Sequence, residues 1–161
     1  MMKAFIVAEI ASNWEGNMSK AKKLILNCKN AGANAVKFQI WRAEDLYQKD
    51  HPEWINILKS ELSFKKIKIL KTYCDSIGIE FFASVFYPEA VEFLESIKVK
   101  RYKIASRTCT LKDPYSIETI EKIGITKKPT IISMGMGGNK KMIKQKISNN
   151  KDLFCYCVSK Y

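Results

Sequence analysis

Two lysines lie inside otherwise apolar stretches of this chain: Lys37 in AVKFQ and Lys103 in YKIA. A charged group within an apolar strand is costly unless it is paired or faces a polar cavity. Other polar residues recur at matching places, namely Glu9, Gln39, Ser84, Ser106, Ser133 and Ser159, each near the C-terminal end of a short β-rich run. If those ends converge, Lys37 and Lys103 supply positive charge while serine hydroxyls and loop amides donate to anionic oxygens. The chemistry is then that of an anion site assembled from several strands. For either lysine alone, an ammonium that reaches solvent or meets a buried acid serves equally well; the repetition favours the cavity.

The elements that must carry these residues alternate from end to end. Strand candidates are Phe5–Ile10, Ala35–Gln39, Glu80–Val85, Arg101–Ile104, Thr130–Ser133 and Leu153–Val158, short and mostly apolar as buried parallel strands are. Amphipathic runs lie between them. Ser19 is read as opening a helix to Ala31, closed by Gly32, and Ser63–Ile77 ends at Gly78. Pro88 starts a run to Ile97, Asp113-Pro114 opens another to about Ile123, and Asn139–Ile147 makes a lysine-rich last one. The connection Ile40–Leu62, rich in Trp, Tyr and charge, is too long for a plain turn and reads as a functional loop.

Alternating strands and helices mean βαβ units on a parallel sheet. A doubly wound sheet would carry a glycine-rich phosphate fingerprint after its first strand, and none is present; Gly135 and Gly137-Gly138 lack that spacing and read as a loop. The gathering of polar residues at strand C-termini favours an α/β fold of the (β/α)₈ TIM-barrel type, incomplete at about six βα units.

Composition sets the bounds. A chain of 161 residues, 47% hydrophobic and 27% charged, can bury one sizeable core. No apolar run approaches the roughly 20 residues of a membrane span, so the expectation is a cytoplasmic protein with no membrane partner. The five cysteines are odd in number and lie in apolar stretches, which predicts reduced, mostly buried thiols. Cys155 and Cys157 share a strand face, yet one intervening residue is tight for a joint zinc site. The net charge of +12 is spread along helical segments such as Lys65, Lys66, Lys68 and Lys71, the pattern of solvated faces and not of a nucleic-acid stripe.

Seven segments, in order, resemble the N-acetylneuraminate (sialic acid) synthase family and its legionaminic, pseudaminic and spore-coat relatives. They are AEIASNWEGN, AGANAVKFQ, DLYQ, FFASVF, YKIASRT, IISMGM and CVSKY. The resemblance implies a barrel enzyme that condenses phosphoenolpyruvate with an N-acetylated amino sugar aldehyde, such as N-acetylmannosamine, giving a nonulosonic acid and phosphate. It further implies a divalent cation, manganese or magnesium, and homodimers in full-length relatives.

Carried over by position, Lys37 resembles the lysine that meets the phosphoenolpyruvate carboxylate. Gln39 and Tyr161 resemble sugar-contacting residues. Ser84, Lys103, Ser106 and Ser133 resemble the phosphate-binding set, with Ser84 standing where many relatives have threonine. Glu9 matches an acidic residue near the sugar and is the candidate for proton transfer. Ser159 stands where some relatives have asparagine. The departures are Trp14 for a histidine of the family's SNHNG form, Arg107 for a glycine and Thr108 for an acidic residue. Arg107 is read either as binding a further anionic group or as an exposed loop residue.

The family's two metal-binding histidines and its C-terminal antifreeze-like domain have no counterpart in residues 1–161. His51, the single histidine, matches neither ligand. A complete barrel takes about 250 residues. The expectation is therefore a partial barrel, inactive alone; the alternative is a non-catalytic phosphate-ligand-binding or assembly subunit that completes its barrel with a partner chain.

Overall fold

The computed structural model describes residues 4–147 and 151–158. Six strands form one sheet in the order β1-β2-β3-β4-β5-β6: Val7–Ala11, Ala35–Ile40, Glu80–Val85, Tyr102–Ile104, Thr130–Ser133 and Leu153–Cys155. Every neighbouring pair is parallel. A doubly wound sheet reverses its strand order partway; this one never does, so the architecture is that of an incomplete (β/α)₈ barrel, as read from the sequence.

The helices are α1 Met18–Asn30, α2 Ala43–Leu46, α3 Trp54–Ser60, α4 Phe64–Ser76, α5 Pro88–Ser96, α6 Ser116–Thr126 and α7 Lys140–Lys146. Local chemistry explains their ends. Asn17, not Ser19, caps α1, its side chain accepting from the Lys20 amide at 3.0 Å. Ser63 and Asn139 cap α4 and α7 in the same way, and Pro88 fills the first turn of α5. Helix α6 begins at Ser116, after the Asp113-Pro114 turn, because Tyr115 adopts a left-handed conformation there. The Ile40–Leu62 connection is not bare loop but carries α2 and α3.

Strand alternation sorts the side chains into two faces. Val36, Phe38, Ile40, Phe81, Ala83, Val85, Tyr102, Ile104 and Ile132 point toward the helices and join one core with Ile25, Ile67, Leu70, Leu94 and Ile123. Burial of each such large apolar side chain stabilises the fold by about 1.5–3 kcal/mol. The opposite face carries Lys37, Gln39, Phe82, Ser84, Lys103 and Ser133.

Trp14 belongs to the core as well. It is fully buried with the Lys66 ammonium 5.0 Å from its ring centroid, so the residue standing in the family's histidine position is packing. The cysteines also differ from expectation: all five are free, but only Cys74 and Cys109 are buried, whereas Cys28, Cys155 and Cys157 are half-buried.

Candidate active site

Register builds the site. Glu9 lies opposite Lys37, Gln39 opposite Ser84, Ser84 opposite Lys103, and Ser133 opposite Cys155. These pairings gather polar residues around one cavity of about 630 Å³ at the C-terminal strand ends. Glu9, Lys37, Gln39, Ser84, Lys103, Ser106 and Ser133 all line it. Ser159 and Tyr161 lie outside the described residues.

The two lysines are held differently. Lys37 is 5% exposed, donates to Ser84 Oγ at 2.8 Å and pairs with Glu9 Oε2 at 2.5 Å. Burial draws its pKa below the ordinary value, and the Glu9 carboxylate opposes that. Lys103 Nζ donates to Ser133 Oγ and to the Ile104 carbonyl, both at 2.7 Å, and both neutral. Burial first, and repulsion from Lys37 second, lower it to about 8. An anion between these ammonium groups would relieve both effects.

The loop after β5 completes this side. Gly135 N–H donates to Ser106 Oγ at 3.0 Å. The close approach needs glycine nearby, since a Cβ on Gly138 would stand 2.6 Å from the Cys109 carbonyl oxygen.

Sequence reasoning read the Ile40–Leu62 connection as a functional loop without singling out its cavity-lining residues, or Phe86 and Met136 outside it. Trp41, Leu46, Tyr47, Phe86 and Met136 line the cavity too. The signal was the aromatic content of the long connection after β2. Arg107, read either as binding a further anionic group or as an exposed loop residue, lines the cavity as well, with its side chain 40% exposed. Its Nε bonds both oxygens of Asp113 at 2.8 and 2.9 Å, and Nη2 donates to the Leu46 carbonyl at 3.0 Å. Thus it ties the loop after β4 to the end of α2 beside Tyr47.

The divalent ion that the family resemblance implies does not fit the groups present. Among the described residues no group of three or more His, Cys, Asp or Glu side chains is arranged to hold a metal ion. His51 Nδ1 instead accepts from the Glu53 amide at 3.1 Å. No helix among the described residues is long and apolar enough to cross a membrane.

Comparison with known proteins follows the same lines. The N,N'-diacetyllegionaminic acid synthase of Legionella pneumophila is 36% identical over 84% of this chain and 40% of its own. The pseudaminic acid synthase of Campylobacter jejuni is 33% identical over 99% of this chain and 50% of its own. The chain therefore spans half or less of these relatives' length. A crystal structure of the N-acetylneuraminic acid synthetase from Leptospira borgpetersenii superposes with a TM-score of 0.85 at 27% identity, covering 99% of this chain and 56% of that one. The NeuB family model matches residues 24–161. This chain belongs to the NeuB family.

Proposed function

We propose that the strand ends form the phosphoenolpyruvate-binding part of an enzyme that joins phosphoenolpyruvate to an N-acetylated amino sugar aldehyde, giving a nonulosonic acid and phosphate. Residues 1–161 are then the N-terminal part of its barrel. The observation that carries the reading is Lys103, a half-buried ammonium whose bonded partners are a hydroxyl and a carbonyl, lying across the cavity from Lys37. That arrangement suits a small ligand with two anionic groups.

In this reading Lys37 meets the carboxylate, and Ser84, Lys103, Ser106 and Ser133 hold the phosphate. Carbon 3 of the enol attacks the aldehyde carbon, leaving cationic character at carbon 2. Water adds there, and phosphate leaves with cleavage of its bond to carbon 2. Lysine charge and fixed hydroxyls steady the phosphate as it departs. Glu9 is half-exposed at the mouth and takes up or delivers the proton. Gln39 reaches toward the sugar, and Tyr161 is assigned the same role.

Titration calorimetry of the chain with phosphoenolpyruvate tests this reading; the expected result is one saturable site, and no heat at millimolar ligand would end it. Release of inorganic phosphate with N-acetylmannosamine and manganese reads the remaining half. With no cation ligand set among the described residues, binding without turnover is the expected outcome.

A further inference from the structure

Helix α2 carries part of the cavity wall but cannot hold itself in place. It has four residues, about one turn, and a helix that short has no stability of its own. Packing fixes one side of it: Trp41, Ala43 and Phe86 are buried together, with Leu46 and Ala105 against them. Its other side, at Arg42, Glu44 and Asp45, lines a separate cavity of about 420 Å³. Polar tethers therefore decide where the turn sits. At its start Glu61 Oε2 accepts from the Ala43 amide at 2.8 Å. At its end the Leu46 carbonyl, one of the groups that a helix leaves unbonded, accepts from Arg107 Nη2 at 3.0 Å.

Arg107 is itself fixed from behind. Its Nε bonds Asp113, whose side chain is only 13% exposed, and its guanidinium carbon lies 5.9 Å from the Tyr47 ring centroid. A planar fork held at one edge by a carboxylate aims its remaining N–H groups in fixed directions. Tyr47 in turn meets the rings of Trp41 and His51 edge-on, with centroids 5.9 and 5.8 Å apart. The residue before Arg107 is Ser106, whose hydroxyl accepts from the Gly135 amide, and the one before that, Ala105, packs on the aromatic cluster. Three consecutive residues thus join the aromatic wall, the phosphate-binding loop and the tether of α2.

We propose that Arg107 is a positioning residue: through Leu46 and Tyr47 it holds the aromatic wall against the cavity and transmits occupancy of the phosphate loop to that wall, setting the room left beside a bound phosphoenolpyruvate. This rests on the assignment of Ser106 to phosphate. An anion that bonds Ser106 restrains the adjoining backbone of Arg107. The guanidinium, bonded to a carbonyl 61 positions earlier in the chain, carries that restraint to α2.

The test uses the full chain labelled with 5-fluorotryptophan and fluorine NMR. Of its three tryptophans, Trp41 lines the cavity, Trp54 packs on the same aromatic cluster, and Trp14, enclosed in the main core, is the reference. Saturating phosphoenolpyruvate, with occupancy read by calorimetry, is expected to shift the Trp41 line of the unaltered chain and leave that of Trp14 in place. Arg107→Gln is expected to move or broaden the Trp41 line of the free chain, and to bind phosphoenolpyruvate without the Trp41 response. Packing alone would not remove that response. Should Arg107→Gln not fold, Arg107→Lys takes its place, because it keeps the charge but cannot serve Asp113 and Leu46 together; a diminished response is then expected. A free-chain Trp41 line that is the same with and without Arg107 overturns the proposal. So does an undiminished response in the variant, or none in the unaltered chain at full occupancy, and the phosphoenolpyruvate reading then stands. Loss of binding in the variant would make Arg107 a ligand contact, which overturns the proposal too. If the unaltered chain binds no phosphoenolpyruvate, that reading falls and the coupling with it.

Discussion

Arg101, just before β4, and Lys103, within it, are two residues apart, yet they live in different electrostatic worlds. At the lower end of the sheet, Arg101 Nε meets Glu80 Oε1 at 2.5 Å and Nη2 meets Oε2 at 3.2 Å, a two-pronged ion pair that is largely covered. One layer up, Lys103 has neutral acceptors and a like charge for company. The first arrangement is complete within the chain. The second costs free energy that an incoming anion would return, which is how a barrel separates a stabilising end from a working end.

Replacing each cation in turn breaks this contrast most directly. Lys103→Gln should weaken phosphoenolpyruvate binding about a hundredfold in calorimetry, as expected for losing a charge-assisted hydrogen bond, with thermal stability unchanged or raised. Equal affinity would place Lys103 among structural residues. Arg101→Gln should do the reverse. Stability to urea falls by about 2 kcal/mol, because Glu80 is left covered and unpaired, while ligand affinity holds.

Proton concentration sharpens the same comparison without mutation. Lys103 titrates near 8 in the free chain, and a bound anion raises that value. Affinity is therefore fully present below pH 8 and declines above it, by about tenfold per unit until the raised value is passed. A profile flat from pH 7 to about 9.5 would contradict the assigned charge state. The smallest effect belongs to Ser84→Ala. The hydroxyl that accepts from the Lys37 ammonium is lost while Glu9 still pairs with that lysine, and affinity should fall about fivefold by fluorescence or calorimetric titration.

The six strands and most of the cavity were legible because a buried parallel strand announces itself by continuous apolar character, and a lysine within one stands out. Lys37 and Lys103 needed no long-range information. What escaped depended on partners far along the chain. Arg107 is explained by the Leu46 carbonyl and by Asp113. Trp14 was read only as standing in for a histidine of the family, and it is enclosed by the core, with Lys66 over its ring. Helices α2 and α3 are too short for a periodic pattern to declare them.

The uninterrupted strand order also bears on how the molecule forms. Each pairing joins a strand to the next one made, so no contact within the sheet waits for a distant segment, and loop-closure entropy is met in small steps. During synthesis, β1 and β2 can dock before β3 exists, and the cavity's charged residues arrive in sequence, with Glu9 in place to receive Lys37. Pulse-labelled hydrogen exchange on stalled nascent chains should find β2 protected before β5 emerges. Protection of all strands only at full length would mean that the sheet assembles at once.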